Sequence, residues 1–175
     1  FDGDYGELPH GYDHKYVYSH FGYNLKVTDL QASIGVEQLK KFPSFIERRR
    51  HNWERLHKAL EDVQDRIILP EPVANSRPSW FGFLISVRPE TGLRRNEVTG
   101  FIEKHNIQTR LLFSGNVIRH PCFDQIRGTD AYRVVGDLKN TDFIVNNTFW
   151  VGVYPGMTDA MIDYMADVIK QAVKE

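Results

Sequence analysis

The stretch that most constrains the fold of this chain runs from Gly22 to Phe42 and reads GYNLKVTDLQASIGVEQLKKF. Thr28 followed three residues later by Gln31 is the capping-box pattern, which predicts that a helix begins here. Asp29 adds negative charge in the first turn, where the helix dipole favours it. We therefore expect a short loop that gives way to a helix at Thr28.

The predicted helix carries apolar residues on two sides. At about 100° per residue, Leu30 and Ile34 lie on one side. The roughly opposite side carries Ala32, Gly35, Val36 and Leu39. A surface helix of a globular protein has one apolar stripe, so we infer that this helix is buried between two bodies, such as two domains or two subunits.

The loop before this helix offers groups that bind phosphate. Tyr23, Asn24 and Lys26 place a phenol, an amide and an ammonium group beside the backbone N–H groups of the helix start, a combination that suits a phosphate. The same residues fit a structural turn with solvated polar side chains. Helix N-termini are far more common than phosphate sites, so spacing alone favours the structural alternative.

Length and composition bound the class of protein. The chain has 175 residues, 41% hydrophobic and 26% charged, which is typical of a soluble globular domain. A net charge of −1 argues against a general nucleic-acid binder. No apolar run approaches the roughly 20 residues that span a membrane, so a cytoplasmic location is expected. Because the first residue is Phe1, we expect a fragment of a longer protein.

The rest of the chain alternates helices and strands. Pro43 is expected to end the first helix and to start a second over residues 44–63. Strands are predicted at 80–87, 107–113 and 148–154, and helices at 94–105, at 140–147 and from Thr158 onwards. This order predicts an α+β sandwich, one small sheet layered against helices. At strand spacing, we assign the aromatic residues Trp80, Phe81, Phe83, Phe113, Phe149 and Trp150 to the core rather than to a base-stacking platform.

A second polar group follows the strand at 107–113. Arg110 lies in that strand, and Asn116, Arg119 and His120 lie in the irregular segment after it. Arginine suits diphosphate or carboxylate recognition because its fork binds two oxygens, and a loop of this length is usually functional or leans on another surface. The alternative, that Arg110 forms a structural ion pair, is left open.

Metal binding has little support in the sequence. His10, His14 and His20 match no common zinc spacing, and no cysteine or carboxylate cluster completes a set. Cys122 is the one cysteine of the chain, which excludes an internal disulfide framework.

Four motifs resemble one family over nearly the whole chain. They are GYDHKYVYSH at 11–20, the stretch from Gly22 continuing to Arg50, TRLLFSGNVIRHP at 109–121 and NNTFWVGVYPGMT at 146–158. They are similar to the DegT/DnrJ/EryC1/StrS family of pyridoxal-phosphate enzymes, and within it to the 3-dehydrases that act on CDP-4-keto-6-deoxy sugars in O-antigen biosynthesis. The resemblance implies a small C-terminal domain of fold type I over residues 22–175, with a mainly antiparallel sheet, preceded by an extended segment at 1–21.

The resemblance also implies cofactors, partners and site residues. Asn24, the Asn of the GYN motif, would reach the phosphate of pyridoxamine or pyridoxal phosphate across a homodimer interface. Tyr23 and Lys26 beside it are further candidates for cofactor binding from their residue types. Arg110, Asn116, Arg119 and His120 become candidates for binding the CDP-linked 4-keto-6-deoxyhexose. The branch carries a [2Fe–2S] cluster and receives electrons from an NADH-dependent iron–sulfur flavoprotein reductase.

The catalytic histidine of that branch and its cluster cysteines would lie outside these residues. We therefore expect this chain alone to bind no cofactor or cluster and to be inactive. A pyridoxal-phosphate aminotransferase of the same family, with lysine in place of the histidine, and a non-enzymatic dimerisation module are the alternatives.

Overall fold

Helix α1 begins where the capping box predicts, in a computed structural model that describes residues 5–11, 13–23 and 25–174. The Thr28 N–H donates to Gln31 Oε1 at 3.0 Å, and the Gln31 N–H donates to Thr28 Oγ1 at 3.3 Å. The helix runs over Asp29–Leu60. The chain divides into two compact units, Phe1–Lys40 and Lys41–Glu175. A domain boundary between residues 21 and 22 stays a prediction.

The second unit is built on one antiparallel sheet with strand order β1-β2-β4-β3. After α1, the elements are β1 (Ile67–Ile68), β2 (Gly82–Val87), α2 (Arg95–Lys104), β3 (Thr109–Leu111), α3 (Lys139–Asn147), β4 (Thr148–Gly152) and α4 (Asp159–Lys174). This confirms the predicted α+β class. The short strand β1 was not predicted, because two residues are too few to show the alternation that marks a strand.

The core lies on one face of the sheet. Alternate residues of β2 and of β4 with the residue after it are fully buried, namely Phe83, Ile85, Val87, Phe149, Val151 and Val153. The helices cover this face with Trp53, Leu56 and Leu60 from α1, Val98 and Ile102 from α2, and Ile162, Ile169 and Val173 from α4. The remaining residues of the strands therefore point to the other face of the sheet.

Pro43 lies inside α1 and does not end it, so the predicted helix break is wrong. Proline removes one backbone donor and costs about 3 kcal/mol in a helix interior. Trp53, Leu56 and Leu60 are buried further along the same helix, and each such residue contributes about 1.5–3 kcal/mol. That burial stabilises the helix as a whole, and the loss at Pro43 is confined to one turn. The Ser44 hydroxyl also donates to the Lys41 carbonyl at 2.7 Å.

Within the first unit, both apolar stripes of α1 are exposed. Leu30 and Ile34 are 76% and 61% exposed, and Val36 and Leu39 on the other side are 53% and 68% exposed. An interface that covers these stripes stays a prediction.

An ion-pair cluster joins α1 to the start of α4. Asp159 accepts hydrogen bonds from Arg48 at 2.7 Å and from His51 at 3.0 Å, and it pairs with Arg55 at 3.2 Å. Arg55 also binds both carboxylate oxygens of Asp163, at 2.7 and 2.8 Å. The hydrogen bond from Arg48, followed by that from His51, lowers the pKa of Asp159.

This cluster predicts a loss of stability in acid. Since folding lowers the pKa of Asp159, its contribution is present above the unfolded value of about 3.9 and is lost as the pH falls through the lower folded value. Melting temperatures measured between about pH 5 and pH 3 should therefore fall less steeply for Asp159→Asn than for the unaltered chain. Asp167→Asn is the matched control, because Asp167 lies on the same helix and forms no ion pair with any described residue. Parallel curves for the unaltered chain and Asp159→Asn would contradict the assignment.

Candidate functional site

The outer face of the sheet carries a row of three side chains across three strands. Trp150 of β4 lies opposite Leu84 of β2 on one side and opposite Arg110 of β3 on the other. Since Phe149 and Val151 point into the core, Trp150 and its two partners point away from it. The row thus places an indole ring beside a guanidinium group on the face that the core helices leave open.

The Trp150 ring contacts residues of both neighbouring strands, β3 and β2. Its Nε1–H donates to the Leu111 carbonyl at 3.1 Å. Its six-membered ring lies over Gly82, where a β carbon would come within 2.6 Å of Trp150 Cε3. Phe81 and Phe113 flank it with ring centroids at 5.0 and 6.4 Å. Glycine is thus required at position 82 for the ring to keep this position.

A groove of about 840 Å³ opens beside this ring. The sheet and its connections contribute Phe81, Arg110, Phe113, Trp150, Gly152 and Tyr154 to its lining. Residues 105–108 after α2 and several residues of α4, among them Met161 and Tyr164, also line it. Phe81 and Phe113 are 64% and 78% exposed. The assignment of Phe81, Phe113 and Trp150 to the core is therefore wrong, whereas Phe83 and Phe149 are core residues as predicted. Helices cover one face of this sheet, so strand spacing alone could not separate the two sets.

Arg110 is exposed in this groove, and it forms no hydrogen bond or ion pair with any residue that the structure describes. No carboxylate lines the groove. Among the described residues, Arg110 thus has no acidic partner for the structural ion pair that was the alternative interpretation. A guanidinium group with five free donors is suited to an anionic ligand. Binding of substrate by Arg110 stays a prediction.

The other predicted site residues after β3 hold their own loop. Asn116 is 6% exposed and donates from Nδ2 to Asp142 Oδ1 of α3 at 2.7 Å. Arg119 pairs with the other oxygen of Asp142, and the hydrogen bonds from Asn116 and Arg119 lower the pKa of that carboxyl. His120 Nε2 lies 2.7 Å from the Ser114 carbonyl oxygen. These contacts fix the loop on α3, and a substrate-binding role for the three residues stays a prediction.

The phosphate candidates at the start of α1 are open to solvent. Tyr23 is 92% exposed, Lys26 is exposed, and neither bonds to a residue in the described part of the chain. Asn24 lies outside the described residues. The capping box already engages the N–H groups of Thr28 and Gln31, so the helix start has fewer free donors than a bare N-terminus.

Neither a metal centre nor a membrane span is found in the part of the chain that the structure describes. No three His, Cys, Asp or Glu side chains come together there in a way that could hold a metal ion. None of the described helices is both long enough and apolar enough to cross a bilayer.

Sequence reasoning missed Gly152, Tyr154 and Tyr164 as groove residues. One signal was available. Trp150, Gly152 and Tyr154 follow one another at two-residue intervals, and this spacing puts them on one face of an extended segment. Tyr164 joins them through the tertiary fold, since it comes from α4.

Comparison with known proteins relates the chain to enzymes of nucleotide-sugar metabolism. A model of the DegT/DnrJ/EryC1/StrS aminotransferase family matches residues 7–170. The chain is 49% identical over 173 residues to a dTDP-4-dehydro-2,6-dideoxy-D-glucose 3-dehydratase from Saccharopolyspora spinosa, covering 99% of this chain and 36% of the relative. It is 47% identical to the lipopolysaccharide biosynthesis protein RfbH of Salmonella typhimurium, covering 95% of this chain and 37% of the relative.

A solved structure shows the same fold. It is that of the E. coli GDP-4-keto-6-deoxy-D-mannose-3-dehydratase with bound hydrated PLP, with a TM-score of 0.73 and 27% identity. The match covers 89% of this chain and 38% of that protein. The present chain therefore spans little more than a third of the length of the relatives it matches.

The anchoring of the loop on α3 can be tested at Gly115. A β carbon there would lie 2.6 Å from Val145 Cγ2, whereas a β carbon at Gly128 would meet nothing within 4 Å. Both glycines have positive φ, so Gly128→Ala is a matched control for backbone strain. We expect Gly115→Ala to lower the free energy of unfolding by about 1–3 kcal/mol more than the control, through overpacking. Equal losses in chemical denaturation would show that the loop does not press on α3.

Proposed function

Because the chain belongs to the DegT/DnrJ/EryC1/StrS aminotransferase family, we propose that it is the C-terminal small domain of a nucleotide-sugar 3-dehydrase. Residues 22–175 form this domain in the proposal, and residues 1–21 are an extended segment that leads from a larger domain. The complete enzyme removes the C3 hydroxyl of a CDP-linked 4-keto-6-deoxyhexose in dideoxysugar and O-antigen biosynthesis.

The observation that carries the proposal is the high identity to two relatives over nearly the whole chain. One is named as a sugar 3-dehydratase and is 49% identical, and the other is named as a lipopolysaccharide biosynthesis protein and is 47% identical. The GDP-sugar 3-dehydratase of known structure is 27% identical. This supports removal of a C3 hydroxyl from a nucleotide-linked sugar. The choice of CDP rests on the motifs at 11–20, 109–121 and 146–158.

The proposal gives Arg110 the main polar contact to substrate. Its guanidinium group lacks a partner among the described residues and lies in a groove without carboxylates, so it can bind two oxygens of a diphosphate. Asn116, Arg119 and His120 complete the substrate side of the site in the proposal. Their loop is already fixed on α3 through Asp142, which would present backbone and side-chain groups without further ordering.

The start of α1 fits the phosphate of a pyridoxal-type cofactor. Tyr23 and Lys26 offer an exposed hydroxyl and an exposed ammonium group, and the proposal adds the Asn24 amide from the same loop. Such a cofactor, when bound, stabilises negative charge that develops on the substrate carbon next to it. In the proposal, the residues of this chain bind only the phosphate of the cofactor, across the interface of a homodimer.

An iron–sulfur cluster does not fit the residues of this chain. Cys122 is its one cysteine, whereas such a cluster is held by four protein ligands. The proposal therefore assigns the [2Fe–2S] ligands and the catalytic histidine to other parts of the enzyme. An NADH-dependent iron–sulfur flavoprotein reductase would supply the electrons to that cluster.

A pyridoxal-phosphate aminotransferase is the second candidate. The family description names aminotransferases, and the same small domain would serve either reaction. A dimerisation module without activity is a third candidate, suggested by the exposed stripes of α1. The large domain separates the three: a catalytic histidine with clustered cysteines, a catalytic lysine, or no such domain.

The proposal is tested on the longer protein that contains this chain, supplied with pyridoxamine phosphate, the reductase, NADH and CDP-4-keto-6-deoxyglucose. We expect NADH oxidation that depends on the sugar and a product that has lost the C3 oxygen, observed by mass spectrometry. The dTDP-linked sugar is the comparison substrate, and the 175-residue chain alone should be inactive. Transfer of an amino group from glutamate, without loss of oxygen, would overturn the proposal in favour of the aminotransferase.

Arg110→Lys in that enzyme separates a binding role from a structural one. Lysine keeps the charge and loses the bidentate fork, and loss of one hydrogen bond to a charged group costs about 1.5–3 kcal/mol. We expect KM for the nucleotide sugar to rise about tenfold or more, with an unchanged melting temperature. Arg66→Lys is the control for a structural arginine, since Arg66 Nε donates to the Val173 carbonyl at 2.9 Å. It should lower the melting temperature and leave KM unchanged. The reverse pattern at Arg110 would exclude it from the site.

A further inference from the structure

Two glycines face each other on the outer side of the sheet, and they differ in what lies above them. Gly82 of β2 pairs with Gly152 of β4. The Trp150 ring fills the space above Gly82, where a β carbon would be 2.6 Å from it, whereas a β carbon on Gly152 would meet nothing within 4 Å. The sheet surface at Gly152 is therefore uncovered and forms a hollow beside the Trp150 ring.

Aromatic side chains line the groove that contains the hollow at Gly152. Trp150 borders it from the same strand, and Tyr154 and Tyr164 are half exposed at 52% and 51%. Phe113, at 78% exposed, has its ring centroid 6.4 Å from that of Trp150. Aromatic side chains that are ordered yet exposed bind flat ring systems by stacking. The hydrogen bond from Trp150 to Leu111 holds the central ring in position before any ligand arrives.

The polar groups of the groove select for an anion. Arg110 is its one arginine or lysine, no carboxylate lines it, and Asn106 and Gln108 add amide groups. A ligand with a flat ring and a negative charge matches this set. A protein segment that covered the groove would have to supply a carboxylate for Arg110 and several apolar side chains together.

We propose that this groove binds the nucleotide part of the sugar substrate, with the base stacked in the hollow over Gly152 and the diphosphate at Arg110. The proposal rests on the proposed function and names the part of its substrate that this domain holds. The groove volume of about 840 Å³ lies within the range of roughly 300–1,000 Å³ for small-molecule sites. Asn106 and Gln108 are positioned to contact the edge of the base.

The proposal is tested by titrating the 175-residue chain with CDP, followed by calorimetry and by tryptophan fluorescence. We expect one CDP per chain, quenching of the fluorescence, and weaker binding of cytidine, which lacks the diphosphate. GDP and dTDP are titrated in parallel, and binding of all three would indicate stacking without selection of the base. Absence of CDP binding at millimolar concentration would overturn the proposal.

Gly152→Val is the decisive variant. The new side chain fills the hollow without meeting a neighbour at its β carbon, and valine suits a strand. We expect CDP affinity to fall at least tenfold while the melting temperature is unchanged or higher. Gly100→Val is the matched control, since a β carbon at Gly100 of α2 also meets nothing within 4 Å and Gly100 lies outside the groove. Normal CDP binding by Gly152→Val would overturn the proposal.

A second pair of variants tests the diphosphate contact. Arg110→Gln should weaken CDP binding and leave cytidine binding unchanged, because only the charged part of the ligand loses its partner. Arg133→Gln is the control, since Arg133 is also exposed and forms no hydrogen bond or ion pair with the described residues. Equal losses for CDP and cytidine would show that Arg110 does not bind the diphosphate.

Two further measurements identify other occupants of the groove. A change of oligomeric state in Gly152→Val on size-exclusion chromatography, with unchanged CDP affinity, would assign the groove to a second copy of the chain. Normal nucleotide binding and turnover by the longer enzyme carrying Gly152→Val would show that other parts of the protein cover it. Either result overturns the proposal and leaves the proposed reaction intact. Because CDP binding needs neither cofactor nor turnover, failure of the dehydrase assay would not affect it.

Discussion

The one-sided covering of the sheet is the constraint on which the rest of this domain depends. The last turns of α1, with α2 and α4, bury one face of the sheet through residues such as Leu56, Ile102 and Ile169. Side chains alternate along a strand, so Trp150 and Gly152 lie on the face opposite to the buried residues Phe149 and Val151. The groove, the fixed indole ring and the unpaired guanidinium group all follow from this alternation. A core of this kind provides a rigid base on which polar groups can be held without partners of their own.

The sequence predicts where the helices and strands lie better than it predicts which of their residues are buried. The capping box at Thr28 and Gln31 located the start of α1, and strands were predicted at 80–87 and 148–154, where β2 and β4 lie. The continuity of α1 through Pro43 could not be predicted locally, because a proline in the first turn of a new helix and a proline inside one long helix look the same in the sequence. The aromatic residues show the same limit. Phe83 and Phe81 differ by two positions, yet one is in the core and the other lies on the outer side, because Phe81 precedes the regular strand.

The candidate site is less predictable than the fold for a related reason. Arg110 could be identified from its residue type and its position in a strand. The absence of an ion pair depends on which acidic groups the fold brings near it, and no local pattern contains that information. Asn116, Arg119 and His120 look alike in the sequence as free polar loop residues. In the structure, Asn116 and Arg119 bind Asp142 of α3, which lies 26 residues from Asn116 along the chain, and His120 contacts the Ser114 carbonyl within the loop.

An exposed arginine surrounded by aromatic rings combines two properties that a diphosphate-linked ligand requires. The rings offer flat apolar faces for stacking, and the guanidinium group offers a fork of donors for an anion. The absence of a carboxylate means that no internal ion pair has to be broken when the ligand binds. A structural arginine such as Arg66, bound to the Val173 carbonyl, offers neither advantage. The fold thus separates arginines that stabilise the domain from Arg110, which lies in the groove on the outer side of the sheet without a partner among the described residues.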